Sequence, residues 1–356
     1  VPEKLRVALV GLAFGRHMIE HQILAGPGAE YLELAGVCAR TPATVHEAAE
    51  RYGVKPYVGI DAALADESVE AVVLMTGPVG RADQIRQIIR AGRHVMTTKP
   101  FELDSAEAAS VLEEARALGR VVHLNSPCPT RTDDLRQMAA WQEKYDLGRP
   151  LAARHECWYK SVEKADGSWY DDPELCPVAP IFRLGIYGIN DLLLLFGTPQ
   201  AVQVTESRLL TGRPTPDLAQ LTIHFETGAI ASTLDGWCLQ PPRDADSLVI
   251  YYENGTIFRN PPVLPGDPEH EQCRLCVIPA GRKDGTPAEQ VTLRRHQLSH
   301  CYLWDVFCDA VRGRPPRDET PDRVIVDGVR VIEAMRRAAR SGCREPVSTG
   351  DAPASS

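Results

Sequence analysis

Two textures of apolar and polar positions divide the chain. In the first, short and nearly continuous apolar runs alternate with longer mixed stretches. The runs are Leu5–Leu12, Leu32–Ala39, Ala71–Met75, His94–Thr98 and Val121–Asn125. Helices are expected between them at Arg16–Leu24, after Thr41-Pro42, at Ala82–Ala91 and at Ser105–Leu118. Pro42 suits the first helical position behind a capping threonine. Gly92 and Gly119 suit the position just past a helix end. Apolar strands separated by helices predict a parallel sheet covered on both faces. Right-handed crossovers make such a sheet doubly wound, with ligands beyond the carboxyl ends of its strands where the strand order reverses.

From about residue 126 the texture changes. Thr132–Lys144 reads as a helix, Leu151–Trp158 as a strand, and Ile186–Phe196 as an apolar helix ended by Gly197. Short strands follow at Val202–Leu209, Leu218–Phe225, Ala229–Trp237, Leu248–Tyr252 and Gln290–Leu293. Turns rich in Pro, as at Leu239–Arg243, Pro261–Pro268 and Arg312–Pro321, separate many of them. Strands in series predict a large, mainly antiparallel sheet. Helices near Cys301–Val311 and Arg323–Arg340 close the pattern. The expected division is 1–125 for the first domain, 126–345 for the second, and 346–356 for a frayed tail. The closing helices are placed to pack back toward the first domain.

Composition narrows the class. The 356 residues suit two domains. With 44% hydrophobic and 24% charged residues, wholesale disorder and fibrous repeats are excluded. The net charge of −9 argues against a broad nucleic-acid surface. No run reaches the ~18 apolar residues of a membrane span. Val1–Arg6 carries no basic-then-apolar leader, so a cytoplasmic protein is expected. The ten cysteines read mostly as small buried hydrophobes. His270, Cys273 and Cys276 have a zinc-like spacing, and His296, His300 and Cys301 follow. Cys276 lies in a strand-like run with Leu275 and Val277, however, and no metal site is expected.

Three turns carry candidate chemistry. Gly11-Leu12-Ala13-Phe14-Gly15 joins the first strand to the first helix, where backbone N–H groups at a helix start receive a pyrophosphate. Ala13 stands where the usual fingerprint has its second glycine. The second strand ends in Ala39-Arg40-Thr41, without the acidic residue that an NAD site places on the ribose. Arg40 suits a 2′-phosphate or the adenine face, and Thr41 can add a hydrogen bond, which favours NADP over NAD. Thr76, after the third long strand, belongs with the same cofactor group. Thr98-Lys99-Pro100 follows the next strand, and Pro100 biases Lys99 toward an extended conformation. Lys99 and Pro100 are thereby presented to the dinucleotide crevice, where Lys99 can bond a substrate hydroxyl or the nicotinamide ribose.

In this order the motifs resemble the Gfo/Idh/MocA family, the glucose–fructose oxidoreductase and inositol dehydrogenase group. The resemblance rests on Val10–Gly15, Gly92–Pro100, Gly167–Pro173, Pro180–Asp191, Leu195–Gly197 and Asp322–Gly342. It implies a Rossmann domain and a second α/β domain whose open sheet often makes oligomer contacts, here a homodimer or homotetramer. It also implies hydride transfer between NAD(P) and a sugar, polyol or related carbonyl compound. Lys99 and Pro100 match the family's Glu-Lys-Pro motif, but Thr98 replaces the glutamate. In the second domain's helix motif, Gly185, Tyr187 and Asn190 match the tyrosine variant, while Arg183 stands at the position usually held by Asp.

Tyr187 and Asn190 are three residues apart and share a helix face, which Arg183 can join. Tyr187 is the expected proton carrier opposite the hydride. A tyrosine hydroxyl ordinarily titrates near roughly 10, so a cation must assist, and Lys99 and Arg183 are candidates. Arg183 cannot accept a proton but can fork onto a substrate carboxylate or phosphate. His123 is a candidate for orienting nicotinamide or substrate, and Trp169 for walling the pocket. The rival reading is a member of the same fold without net dehydrogenase activity, through transient oxidation or cofactor binding alone.

Overall fold

The computed structural model describes residues 3–159, 162–237, 245–260, 272–282, 284–294, 301–315 and 322–348. The chain forms two compact units. The first comprises Val1–Glu102, Ala106–Cys128 and Tyr302–Asp322. Its strands are β1 (Leu5–Val10), β2 (Leu32–Ala39), β3 (Lys55–Val58), β4 (Ala71–Leu74), β5 (His94–Thr98) and β6 (Val122–Asn125). Its helices are α1 (Leu12–Met18), α2 (Pro42–Tyr52), α3 (Ile60–Leu64), α4 (Arg81–Arg90) and α5 (Ser105–Ala117).

All six strands are parallel, in the order β3-β2-β1-β4-β5-β6. This is the Rossmann doubly wound sheet, and its order reverses between β1 and β4. Burial on both faces explains the unbroken apolar runs: Val7, Ala8 and Leu9 of β1 and every residue of β4 are inaccessible to solvent. The helix Trp304–Val311 folds with this unit although it follows most of the second in sequence. Its Trp304 and Phe307 enter the core of β1, β2 and α1. Leu303 N–H donates to Asn125 Oδ1 at 2.9 Å.

The second unit is Leu103–Ser105, Pro129–Cys301 and Arg323–Ser356. It holds a sheet of nine strands among the described residues: β7 (Pro150–Trp158), β8 (Pro199–Ser207), β9 (Leu218–Phe225), β10 (Ile230–Gly236), β11 (Ala245–Tyr252), β12 (Gly255–Arg259), β13 (Gln272–Pro279), β14 (Glu289–Arg294) and β15 (Glu345–Pro346). Their order is β14-β13-β12-β11-β7-β10-β9-β8-β15. Every pairing is antiparallel except β7 with β10. The helices α6 (Asp133–Lys144) and α7 (Ile186–Phe196) and the final helix Asp322–Ser341 share one core with this sheet.

Several elements depart from the sequence pattern. α1 starts four residues earlier than Arg16 and passes into a π-helical stretch, Ile19–Ile23. β3, β12 and β15 were not expected, because each is short, while β13 extends the strand-like run around Cys276. The predicted turns at 239–243 and 261–268 lie outside the described residues, as does most of 312–321 and of the tail.

Candidate active site

The dinucleotide half of the site grows from β1. Gly11 has φ +98°, and a Cβ there would lie 2.7 Å from the Met75 carbonyl oxygen. Only glycine turns this corner so close to β4. α1 begins at the next residue with no side-chain cap, and first-turn N–H groups have no acceptor within their helix. Ala13 and Phe14 are exposed there. Phe14 stacks on His17 with ring centroids 5.4 Å apart. Gly15 faces inward, and a Cβ on it would come 2.5 Å from Leu9 Cδ2. Gly11 thus makes the tight turn and Gly15 the close helix–strand packing that the fingerprint requires. At the end of β2, Arg40 and Thr41 are exposed ahead of α2, with Pro42 at its first position. This donor set suits an anionic dinucleotide.

On the other side of β1, the turns after β4 and β5 meet at Arg81. This arginine is 1% exposed. Its guanidinium donates to the carbonyls of Thr76, Thr98 and Pro100. The Thr76 hydroxyl donates to Gln84 Oε1 at 2.6 Å. Glu102 accepts from Ala82 N–H at 2.8 Å. Burial lowers the Arg81 pKa to about 10, while the Glu102 carboxylate pulls the other way, so Arg81 stays charged near neutrality. Thr98, at the glutamate position, lies 3.4 Å from both the Ser126 carbonyl oxygen and the Tyr302 hydroxyl. Lys99 is partly buried and Pro100 buried.

His123, the candidate for orienting nicotinamide or substrate, lies largely within the first unit's core. It is buried in the first unit, its ring 5.6 Å from that of Phe307 and its Nε2 3.8 Å from Cys128 Sγ. Burial pushes its pKa down to about 4, so the ring is neutral. Its contacts are those of a core residue.

The second unit builds its part around α7. A π-helical turn, Ile181–Gly185, leads into the helix. Two glycines let it lie close to the sheet: a Cβ on Gly185 would sit 2.6 Å from Asp235 Oδ2, and one on Gly188 2.3 Å from His155 Nδ1. Beneath them, His155 Nδ1 pairs with the Thr233 hydroxyl at 2.8 Å, and that hydroxyl donates to Asp235 Oδ2 at 2.6 Å. Burial raises Asp235 to about 7. Burial alone would lower His155, but Asp246 and Asp235 reverse this and raise it. Arg259, 2% exposed, bonds Asp134, Asp191 and Asp246. Tyr187 is partly buried at the margin of this core, and Asn190 is 6% exposed.

Arg183 is engaged within the protein. Its guanidinium forks onto Glu163 at 2.6 and 3.1 Å. Its central carbon lies 3.7 Å from the Tyr170 ring centroid and 4.5 Å from that of Trp237. Arg213 adds contacts to Glu163 at 3.5 Å and Asp171 at 3.2 Å. An anionic substrate at Arg183 would compete with Glu163 for its guanidinium. Trp169 packs on Tyr170 at 4.1 Å and edge-on to Phe182 at 6.3 Å.

Arg81, Glu163, Tyr170, Arg213 and Trp237 were missed from the sequence. Arg81 did leave a signal, since it shares the apolar stripe of α4 with Ile85 and Ile88. Glu163 left none, because it lies in a loop and finds its partner twenty residues away.

Among the described residues no group of three or more His, Cys, Asp or Glu is placed to hold a metal. His270, His296 and His300 lie outside those residues. Cys273 is buried in β13, and burial raises its thiol to about 12. Among the described residues no helix is long and apolar enough to cross a membrane.

Comparison with known proteins agrees with this architecture. Residues 5–126 match the oxidoreductase family with an NAD-binding Rossmann fold, and residues 135–258 match the GFO/IDH/MocA C-terminal domain. An uncharacterised oxidoreductase of Schizosaccharomyces pombe is 23% identical over 227 residues, 62% of this chain and 60% of that protein. The D-xylose 1-dehydrogenase (NADP(+)) 2 of Haloferax volcanii is 27% identical over 174 residues, 49% of this chain and 52% of that protein. The match thus spans little more than half the length of these relatives. The crystal structure of aldose-aldose oxidoreductase from Caulobacter crescentus complexed with glycerol superposes with a TM-score of 0.75 at 20% identity, covering 97% of this chain and all of the other. That likeness is one of fold. The chain belongs to the Gfo/Idh/MocA family of oxidoreductases.

Proposed function

We propose that this protein is an NAD(P)-dependent oxidoreductase that transfers hydride between the nicotinamide and a sugar, polyol or keto-sugar. The observation that carries the reading is the Gly11–Gly15 corner, where two glycines in required close approaches lead into an uncapped helix start at the sheet's switch point. Gly11, Ala13, Phe14 and Gly15 would hold the pyrophosphate, and Thr76, Lys99 and Pro100 the nicotinamide half. Arg40 and Thr41 would hold a 2′-phosphate, so NADP is the favoured cofactor. The bound nicotinamide supplies the hydride chemistry. The sugar class is supported by the xylose dehydrogenase among the relatives.

In this reading Tyr187 holds the proton that leaves the substrate hydroxyl during oxidation, or returns it during carbonyl reduction. Lys99 orients the substrate hydroxyl and offers it a positive charge. Asn190 shares the Tyr187 face and adds a hydrogen-bonding amide. Arg183, already stacked and paired, holds Glu163 in place. Trp169 adds an aromatic wall suited to a sugar face.

A second copy of the chain is the expected partner. Ile230 of β10 and Tyr251 of β11 stand in register on either side of Ala152 in β7. They are 47% and 48% exposed, on the face opposite buried Ala153, Ala231 and Ile250. An apolar sheet face of this kind suits a homodimer or homotetramer.

The second reading, a cofactor-binding member without net dehydrogenase activity, is favoured by the Glu163 pairing that occupies Arg183. Fluorescence titration with NADPH and NADH, followed by a screen of aldoses, polyols and keto-sugars, separates the two. The main reading expects tighter NADPH binding and turnover with at least one substrate. NADH binding as tight as NADPH would remove the role given to Arg40. Binding without turnover across the screen would favour the second reading.

A further inference from the structure

We propose that Arg81 is a positioning residue that builds the nicotinamide-side half of the dinucleotide site by tying together the backbone of the turns after β4 and β5. The inference rests on the reading of the first unit as a dinucleotide site and adds a residue to it.

The strand order gives the site two sides. β2 flanks β1 on one side, and β4 followed by β5 on the other. A dinucleotide laid across the switch point places its adenylate half toward the end of β2 and its other half toward β4 and β5. Among the described residues, the hydrogen bonds of Arg81 fall on the second side. Its three recorded acceptors are Thr76 O after β4, Thr98 O at the end of β5, and Pro100 O in the turn beyond. Thr98 and Pro100 are the two neighbours of Lys99, so the backbone on both sides of Lys99 is held by one side chain. Thr76 is held twice from α4, through its carbonyl by Arg81 and through its hydroxyl by Gln84.

Packing alone does not account for an arginine here. Position 81 lies on the apolar stripe of α4, where an aliphatic side chain would fill the space. A buried guanidinium is costly unless it is hydrogen-bonded. Arg81 meets most of that cost with the carbonyls of the turns themselves through Nη1 and Nη2, its Nε remaining without a partner among the described residues, using a planar fork that lysine cannot reproduce. Glu102, bonded to Ala82 N–H at the start of α4, adds attraction to the same charge.

The test compares a whole dinucleotide with its adenylate fragment. NADPH and 2′,5′-ADP are titrated against the unsubstituted chain and Arg81→Lys (NADH and 5′-AMP if NADH binds more tightly). Loss of charged hydrogen bonds to the nicotinamide-side turns should weaken dinucleotide binding about tenfold or more. Fragment binding should stay within about twofold. Parallel weakening of both ligands, or of neither, overturns the inference. If Arg81→Lys does not fold, Glu102→Gln carries the same test with the same selectivity at about threefold. Failure of the unsubstituted chain to bind either dinucleotide overturns the functional reading itself, which separates the two failures.

Discussion

His123 holds a neutral ring that is largely buried. Its folded-state pKa of about 4 lies below the ordinary histidine value, with burial as the cause. Below roughly pH 6.5 the unfolded chain binds a proton that the folded chain refuses until about pH 4. The unfolded state then carries more protons, so stability falls as pH drops through that window. Urea denaturation at steps between pH 7 and pH 4 should show this slope, and His123→Phe should flatten it by about 2–3 kcal/mol across the window. An unchanged slope would place His123 in contact with solvent. Residues of this kind were only partly legible in the sequence. His123 was legible as a strand histidine, but its burial against Phe307 was not, because a strand position does not say what the ring packs on. Arg183 was found, but its partner was not, since a salt bridge between a loop and a helix leaves no periodic trace.

The helix α7 was read from the sequence with its observed limits, because an apolar run ended by glycine has few alternatives. What the run did not reveal is why Gly188 is there. Glycine in a helix interior usually costs up to about 1 kcal/mol against alanine. Gly188→Ala should nevertheless destabilise the protein by about 1–3 kcal/mol. The added Cβ would lie 2.3 Å from the buried His155 ring, which Thr233 holds in place. Gly328 provides the control. Its nearest neighbour would be Leu193 Cδ1 at 4.0 Å, so Gly328→Ala in the final helix should stabilise by about 0.5–1 kcal/mol. Opposite shifts in urea midpoint are the expected result, and stabilisation by both would contradict the tight α7 packing. The parallel sheet was legible because burial on both faces writes continuous apolar runs. In the second sheet, β12 escaped because it is short and ends on Arg259, whose buried position depends on Asp134 and Asp191, distant in sequence.

At the scale of the molecule, each unit supplies a different kind of group. The first carries a glycine corner, an arginine-tied pair of turns and Lys99. The second carries Tyr187 and Asn190 on a helix pressed to its sheet by two glycines, with Arg183 closed onto Glu163. The acidic overall charge of −9 coexists with Arg40, Lys99 and Arg81 around the first unit's strand ends. The central claim is that these groups perform hydride transfer with Tyr187 carrying the proton. It is tested most directly by following reduced-nicotinamide absorbance with the best substrate from the sugar screen, in the unsubstituted chain and in Tyr187→Phe. The account predicts that Tyr187→Phe loses turnover by about a hundredfold or more while NADPH affinity is retained. Undiminished turnover in Tyr187→Phe would contradict it.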